Sequence, residues 1–239
     1  LQRVKGQFQA KLGSYGPDTA IGLVPNLTAS RVANRLDLNG PAYTVDGACA
    51  SSLLAIDHAV QSLRSKRCDV VLAGGVHLSH DVAFWSVFCQ LGALSRRQKI
   101  QPFDEMADGL LIGEGLGVVV LKRTEDAIRD GDRIYTIIRG VGVSSDGREA
   151  SIMTPRVDGQ VAALARAWQD AEIDPKTIGL VEAHGTATPA GDSAELETLA
   201  RFFGPADGPR AGLGSVKSMI GHTMPAAGIA GFIKTALAV

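Results

Sequence analysis

The chain has 239 residues, with 24 Lys and Arg against 25 Asp and Glu, and its formal charge of −1 excludes a net field that would attract nucleic acid or an anionic membrane. This length supports one large domain or two small ones with a sizeable core, which excludes a disulfide-stapled mini-protein. Three cysteines, an odd number, indicate reduced thiols in a cytoplasmic protein. The sequence predicts no signal peptide or membrane-spanning stretch, and we expect both termini to be cuts through a larger protein.

The hydrophobic pattern alternates along the chain between strand spacing and helix spacing, which is typical of a layered α/β domain. In the first part, Ala42–Val45 is predicted as a short strand and Leu53–Arg67 as the helix after it. Two near-continuous apolar runs, Asp69–Gly75 and Leu116–Lys122, are expected to be strands covered on both faces. They should therefore lie in the middle of the molecule.

A second series of strands and helices follows the turn Asp130-Gly131-Asp132. The predicted strands are Arg133–Val143, Ile178–Ala183 and Leu213–Val216, and the predicted helices are Asp158–Ala171, Ser193–Phe203 and Pro225–Val239. A strand, a loop with polar residues and a helix thus recur three times along the chain. We divide the chain at this turn into an N-terminal half, residues 1–132, and a C-terminal half, residues 133–239.

Cys49 stands where the first predicted strand gives way to a helix. The N-terminus of that helix would lower the pKa of the thiol and offer backbone N–H groups to an oxyanion. The small residues from Gly47 to Ser52 permit a tight turn of the kind that presents a nucleophile. Taken alone, a cysteine is more commonly a small buried thiol without a catalytic role.

His184 and His222 each follow a predicted strand, in a loop flanked by glycine. Because open α/β sheets bind ligands at the carboxyl ends of their strands, both imidazoles could reach one sheet edge. A structural role stays open for either histidine alone. No metal site is predicted, since neither histidine has a ligand partner three or four residues further on and the chain contains no CxxC pair.

Three charged residues adjoin these loops: Asp192, Glu195 and Lys217. Charges at a sheet edge either form structural ion pairs or change the pKa of a neighbouring group. A Lys217–Glu195 pair would be a structural ion pair and would also change the pKa of a neighbouring group.

Three segments resemble, in the same order, the motifs of the β-ketoacyl synthases, the condensing enzymes of the thiolase superfamily. Residues 40–53 (GPAYTVDGACASSL) are similar to the nucleophile motif, and residues 184–192 (HGTATPAGD) and 217–223 (KSMIGHT) are similar to the two histidine motifs. Further similarity at 101–104 (QPFD) extends the likeness over most of the chain. Residues 130–140 look most like the condensing domains of type I polyketide and polyunsaturated-fatty-acid synthases.

The resemblance implies a thiolase-like fold, in which two similar halves form a five-layered αβαβα core. Cys49 would come from the first half and both histidines from the second. The implied reaction is a decarboxylative Claisen condensation, in which Cys49 takes an acyl group from an acyl carrier protein as a thioester. Malonyl-carrier protein would then lose CO₂ and attack this thioester, while His184 and His222 stabilise the enolate through hydrogen bonds.

The same resemblance implies roles for the remaining candidate residues. Lys217 would hold the local charge balance, Glu195 would orient Lys217, and Asp192 would support the site. Thr186 and Thr188 would offer hydroxyls to the phosphopantetheine arm of the carrier protein.

The implied partners are the acyl carrier protein, the other domains of a multidomain synthase, and a second copy of the chain. The homodimer would extend the sheet through Ala42–Val45. The domain itself would bind no cofactor, because phosphopantetheine arrives on the carrier protein. A Gly- and Phe-containing loop that supplies a second oxyanion N–H in this family does not follow His222, so we expect this chain alone to condense poorly.

Three other functions stay open. The first is a non-elongating chain-length or partner protein that binds carrier protein, against which the presence of Cys49, His184 and His222 argues. The second is a degradative thiolase, against which the paired histidine motifs argue. The third is a non-catalytic α/β scaffold, against which the order of the three motifs argues.

Overall fold

A computed structural model describes residues 19, 22, 24–78, 81–148, 154–205 and 211–239. The chain divides into two compact units, residues 1–45 and 46–239. The described part of the first unit contains helix α1, Asn26–Arg35, whose last residue is a cation, as suits the negative end of a helix dipole. The backbone N–H of Thr44 donates to Asn26 Oδ1 at 3.1 Å and holds the following segment against the start of α1.

In its described ranges, the second unit contains both strands and helices, joined in places by single 3₁₀ turns. The strands are β1 (Val70–His77), β2 (Gly115–Lys122), β3 (Leu180–Glu182) and β4 (Gly212–Gly214). The helices are α2 (Ser51–Arg64), α3 (Val82–Gln90), α4 (Thr124–Asp130), α5 (Val157–Ala171), α6 (Pro189–Phe203), α7 (Lys217–Ile220) and α8 (Ala227–Ala238). The 3₁₀ turns are Ala48–Ala50, Pro175–Thr177 and Met224–Ala226.

Strand β1 pairs with β2 in an antiparallel sheet, and β3 pairs with β4 in a parallel sheet. One face of the β1–β2 sheet packs on helices α2 and α8. The core residues of this contact are Ile56, Ala59, Ala73, Ala226 and Ile229. Apolar burial between the sheet and these two helices is therefore what fixes the segments that begin at residues 51 and 227.

The other face of the β1–β2 sheet is exposed. Val118 and Val120 are 58% and 68% exposed, and Leu72 and Val76 on β1 lie on the same face. The expectation that these strands are covered on both faces is therefore wrong for the described residues. A continuous apolar run does not report how many layers cover a strand, because the run is the same with one covering layer or two.

Two predicted strands, Ala42–Val45 and Arg133–Val143, have no strand assignment in the structure. The second segment instead runs close along helix α5: a Cβ on Gly142 would lie 2.1 Å from the carbonyl oxygen of Ala163. Ile134, Ile137 and Val143 of this segment stay 41–51% exposed, so its apolar pattern does not report a covered strand.

Most helices agree with their predicted bounds. Helix α5 (Val157–Ala171) matches the prediction, and α6 ends at Phe203 before Gly204, as predicted. Helix α6 begins four residues earlier than predicted because Pro189 occupies its first turn, where proline is favoured. The segment after residue 217, predicted as a loop, contains the short helix α7.

Helices α2 and α8 meet at their N-terminal ends. Ser52 is fully buried, and its Oγ accepts a hydrogen bond of 2.9 Å from the backbone N–H of Ile229. Strand β1 approaches the same point at Gly75, where a Cβ would lie 2.8 Å from the carbonyl oxygen of Pro225. Strand β1 and the N-terminal ends of α2 and α8 therefore converge beside the segments that carry Cys49 and His222.

Within the described ranges, every helix is too short or too polar to cross a membrane.

Candidate active site

Cys49 lies in a tight turn that leads into helix α2. Ala48 has a left-handed φ of +52°, and its N–H donates to Asp46 Oδ1 at 2.8 Å. The hydroxyl of Ser51 donates to the Ala48 carbonyl at 2.7 Å and accepts from the N–H of Gly47 at 3.0 Å. The predicted tight turn and following helix are confirmed, and the turn leaves Cys49 partly exposed.

The backbone of His222 is held on both sides by a neighbouring segment. Its N–H donates to the Leu111 carbonyl at 2.7 Å, and its carbonyl accepts from the N–H of Gly113 at 3.0 Å. The residue is only 2% exposed. These contacts fix the ring so that Nε2 lies 3.1 Å from Cys49 Sγ.

The hydrogen bonds of His222 also define its tautomer. The backbone N–H of Met224 donates to Nδ1 at 3.1 Å, so Nδ1 carries no proton. In the neutral ring the proton then resides on Nε2, and this N–H points toward the sulfur of Cys49. His222 therefore directs a hydrogen-bond donor at the sulfur of Cys49 and at any substrate atom bound beside it.

His184 completes the cluster from the other histidine loop. Its ring is nearly perpendicular to that of His222, with the centroids 5.4 Å apart. The sulfur and one ring nitrogen of each histidine all lie within 4.8 Å of one another. The structure thus brings together Cys49, His184 and His222, which are separated by up to 173 residues in the sequence.

Glu195 of helix α6 positions the His184 loop. Its Oε1 accepts from the N–H of His184 at 2.6 Å, and its Oε2 accepts from the N–H of Gly185 at 2.8 Å. Both carboxylate oxygens are therefore used on the backbone of this loop. Glu195 therefore orients this loop, and its role in orienting Lys217 stays a prediction.

Both histidines are neutral at pH 7. Burial lowers the pKa of His222 to about 3, and the charges of His184 and Lys217 add to this effect. His184 keeps an exposed edge, yet desolvation by the surrounding protein and the charge of Lys217 lower its pKa to about 4. Neutral imidazoles can donate hydrogen bonds to an enolate oxygen without competing for a proton.

The pKa of Cys49 departs from the sequence-based expectation. Burial raises it above its ordinary value, and the charge of Lys217 and the local backbone N–H only partly offset this. The prediction of a lowered pKa is therefore wrong, because desolvation outweighs the favourable electrostatics of the turn.

Lys217 opens helix α7 and is 4% exposed. Burial lowers the pKa of its ammonium group, and Glu195, then Cys49 and Glu182, oppose that shift by their charge. Glu195 thus acts on Lys217 through space, while its hydrogen bonds go to the His184 loop.

Asp192 is a buried brace for the same loop. Its Oδ1 accepts from the N–H of Ala187 at 3.0 Å, and its Oδ2 accepts from the N–H of Phe103 at 2.6 Å. Ala187 is fully buried with a left-handed φ of +59°, and the carboxylate holds it in that conformation. Asp192 therefore ties the first histidine motif to the QPFD segment.

Thr186 and Thr188 lie in this loop with their hydroxyls 3.0 Å apart. Thr186 is buried, and Thr188 precedes helix α6 as its N-cap residue. The two hydroxyls form one polar patch beside His184. Their contact with a phosphopantetheine arm stays a prediction.

A thiolate and two imidazoles are also a donor set that binds zinc. A ligating imidazole directs a lone pair at the metal while its other nitrogen donates a hydrogen bond to a second group. At His222 the lone pair is on Nδ1, where it accepts the N–H of Met224, and the proton is on Nε2, the nitrogen that faces the cluster. The geometry therefore favours a hydrogen-bond donor at His222 over a metal ligand.

Two groups at the site were not predicted from the sequence. The N–H of Met224 is a main-chain group, and no residue type signals its role. Glu182 precedes His184 by two residues and is mostly buried. A charged residue inside an otherwise apolar strand is the signal that could have identified it.

Comparison with known proteins identifies two family matches along the chain. Residues 5–127 match the N-terminal domain of beta-ketoacyl synthases, and residues 135–239 match the C-terminal domain. Together these matches cover both the Cys49 turn and the two histidine loops.

Individual relatives are large synthases, of which the chain spans only a small part. The chain is 41% identical over 236 residues to a polyunsaturated fatty acid synthase polypeptide of a Thraustochytrium species, covering 97% of this chain and 8% of that protein. It is 48% identical over 217 residues to a phenolphthiocerol/phthiocerol polyketide synthase polypeptide of Mycobacterium tuberculosis, covering 90% of this chain and 12% of that protein.

A solved relative is the ketosynthase from module 6 of the bacillaene synthase of Bacillus subtilis 168. It is 41% identical and superimposes with a TM-score of 0.86 over 89% of this chain, which corresponds to 38% of that protein. The predicted α/β, thiolase-like fold is confirmed by this likeness. With both family matches in sequence order, the chain belongs to the β-ketoacyl synthase family.

Proposed function

We propose that these residues form the condensing site of a ketosynthase that joins an acyl group on Cys49 to a malonyl unit on an acyl carrier protein. The 3.1 Å contact between His222 Nε2 and Cys49 Sγ carries this proposal, because it places an oriented donor at the reacting atom. Family membership supports a condensing acyltransferase.

In the first half-reaction, Cys49 sulfur attacks the carbonyl carbon of an acyl-carrier thioester. A new carbon–sulfur bond forms, the bond to the carrier sulfur breaks, and the thiol proton of Cys49 passes to the departing carrier thiolate. The raised pKa of Cys49 makes the thiolate a minor form of the free site, and the charge of Lys217 increases its population.

In the second half-reaction, the carbon–carboxylate bond of the malonyl thioester breaks and CO₂ departs. The electron pair is held as an enolate, whose oxygen accepts the Nε2–H of His222 and a hydrogen bond from His184. The enolate carbon then attacks the acyl thioester carbonyl, and Cys49 leaves as a thiolate. Two neutral donors suit this step because the enolate must keep its electron pair for the new carbon–carbon bond.

The supporting residues and partners follow from the same proposal. Thr186 and Thr188 would contact the phosphopantetheine arm, and Asp192 would hold the loop that presents them. We further propose a cytoplasmic homodimer within a multidomain synthase, with thiolase-like halves at residues 1–132 and 133–239. The separate N-terminal and C-terminal family matches support that division.

Mass spectrometry of the full-length protein after incubation with an acyl-pantetheine thioester tests the proposal. We expect a mass gain of one acyl group in the wild type and in Cys89→Ala, a matched control at an exposed cysteine. Cys49→Ala should show no gain. Equal labelling of wild type and Cys49→Ala would contradict the proposal.

A non-elongating partner protein is the main alternative. Such a protein would bind carrier protein without releasing CO₂ from malonyl-carrier protein. Release of labelled CO₂ from malonyl-carrier protein by the wild type, and its loss in His222→Ala, would exclude this alternative.

A further inference from the structure

Glu182, at the end of strand β3, uses both oxygens of its carboxylate. The backbone N–H of Val216 donates to Oε1 at 2.6 Å, and the ammonium of Lys234 donates to Oε2 at 2.6 Å. The Glu182 side chain is only 11% exposed. A carboxylate this buried is stable only when both oxygens have such partners.

These contacts connect three of the segments that carry site residues, those of His184, Lys217 and His222. Strand β3 leads directly to His184, two residues after Glu182. Val216 immediately precedes Lys217, and Lys234 lies on helix α8, which follows His222 through one 3₁₀ turn. One carboxylate thus fixes the spacing between His184, Lys217 and His222.

The surrounding backbone leaves room for this pair. A Cβ on Gly231 would approach Glu182 Cγ at 3.0 Å, and a Cβ on Gly214 would lie 3.4 Å from Lys234 Nζ. Helix α8 can therefore lie this close to Glu182 only with glycine at position 231, or with a neighbour displaced by a few tenths of an ångström, whereas a Cβ at position 214 would make an ordinary contact.

We propose that the Glu182–Lys234 ion pair is a positioning device for the decarboxylation half of the reaction, holding His184 and Lys217 in register with His222. The inference rests on the proposed condensing function. Glu182 does not contact Cys49; it acts through the three segments that it joins. A displacement of about 1 Å at reacting groups costs about 100-fold in rate, so loss of such a device should be visible in kcat.

The chain contains a matched control. Asp170 of helix α5 accepts the N–H of Val141 at 2.9 Å with one oxygen and pairs with Arg64 at 2.7 Å through the other. The arrangement of partners is the same as at Glu182, although Asp170 is more exposed, at 29% against 11%, and Arg64 is at the end of helix α2 farthest from Cys49. Asp170→Asn therefore removes an ion pair of the same kind that joins neither histidine loop nor Lys217 to another segment.

The experiment compares Glu182→Gln, Lys234→Gln and the double variant with Asp170→Asn in the full-length protein. Two rates are measured: CO₂ release from malonyl-carrier protein and acylation of Cys49. We expect Glu182→Gln to lower kcat for CO₂ release by about 10- to 100-fold while acylation changes by less than about threefold. The double variant should recover at least about threefold over Glu182→Gln, because no unpaired charge is left.

Hydrogen exchange provides a readout that needs no substrate. Peptides covering residues 180–188 and 213–224 should exchange faster in Glu182→Gln than in the wild type, and at wild-type rates in Asp170→Asn. Lys234→Gln keeps the bond to Val216 and provides the same comparison if Glu182→Gln does not fold. Wild-type protein that neither acylates nor releases CO₂ would refute the condensing function, and the exchange rates would still test the positioning role.

Two results would overturn the inference. The first is a loss of CO₂ release in Glu182→Gln no greater than in Asp170→Asn. The second is an equal loss in both half-reactions, which would make the ion pair a general stabiliser of the fold.

Discussion

The turn at Cys49 and the turn at His222 are built alike. Each contains a residue with left-handed φ, Ala48 at +52° and Met224 at +46°, and each passes through a 3₁₀ turn into a long helix. They differ in how firmly the functional side chain is held. Cys49 is partly exposed, and the hydrogen bonds of its turn are made within residues 46–51. His222 is buried, and its backbone is held by Leu111 and Gly113, which are remote in sequence.

This difference fits the two chemical tasks that we propose for these residues. A nucleophile must be reached by an incoming thioester and must carry the acyl group, so its surroundings have to leave space. An enolate donor must already lie in place when charge develops, because reorientation at that moment would cost part of its effect. The two turns therefore share a backbone design and differ in rigidity.

The largest effect is expected from His222→Ala, which should impair CO₂ release far more than acylation of Cys49. His222→Ala should lower CO₂ release from malonyl-carrier protein by about 100- to 1,000-fold, the usual loss for one oriented donor to an oxyanion. Acylation of Cys49 should fall by less than about tenfold, because the nucleophile is intact. Radiolabelled CO₂ release and intact-protein mass measure the two steps.

His58→Ala, at an exposed histidine of helix α2, is the control and should leave both steps unchanged. Equal losses in both steps of His222→Ala would contradict the division of labour between the turns.

The second prediction concerns the point where β1 approaches both turns. A Cβ on Gly75 would lie 2.8 Å from the Pro225 carbonyl and 2.9 Å from Ser52 Cβ, so Gly75→Ala should lower the free energy of unfolding by about 2–3 kcal/mol. Urea unfolding measures this change. Gly179→Ala is the matched control, since a Cβ there meets no atom within 4 Å. Equal stability of the two variants would show that the turns do not depend on this close approach.

A smaller loss is expected from the hydrogen bond between the two helices. Ser52→Ala removes the acceptor of the Ile229 N–H and leaves this donor buried without a partner, which costs about 1–2 kcal/mol of unfolding free energy. Ser65→Ala, at an exposed hydroxyl bonded only within its own turn, should change stability by less than about 0.5 kcal/mol. A Ser52→Ala loss no larger than that of Ser65→Ala would rule out the contribution of this bond.

The smallest effect is on the reactivity of the thiol. The positive charge of Lys217 lowers the pKa of Cys49, so Lys217→Met should raise that pKa further and shift the alkylation profile to more alkaline pH. At pH 8 the rate of alkylation by iodoacetamide should fall about three- to tenfold. Lys176→Met, at an exposed lysine, serves as the control. A profile that stays in place in Lys217→Met would show that the two charges do not interact.

The sequence predicted the parts of this site that depend on residue type. Cys49, His184 and His222 were identified from their places after predicted strands and from the motifs around them, and helix α5 from its 3.6-residue periodicity. These features are local, so a single sequence contains the information.

The rest depends on contacts that no local pattern encodes. The exposed face of the β1–β2 sheet has the same apolar pattern as a covered face. Burial of Cys49 is a property of the folded site, so the direction of its pKa shift could not be derived from its position at a helix start. The hydrogen bonds of Glu195 to the backbone of the His184 loop were missed because a main-chain N–H carries no sequence signal, whereas its charge interaction with Lys217 was foreseen.

The tautomer of His222 has an evolutionary consequence. Because the group that binds Nδ1 is the main-chain amide of residue 224, exchanging the Met224 side chain for another cannot remove it, and only proline lacks the donor. Proline is in turn incompatible with the positive φ at this position. The tautomer of His222 is thus set by the main chain, and substitution of the side chain at position 224 leaves it unchanged.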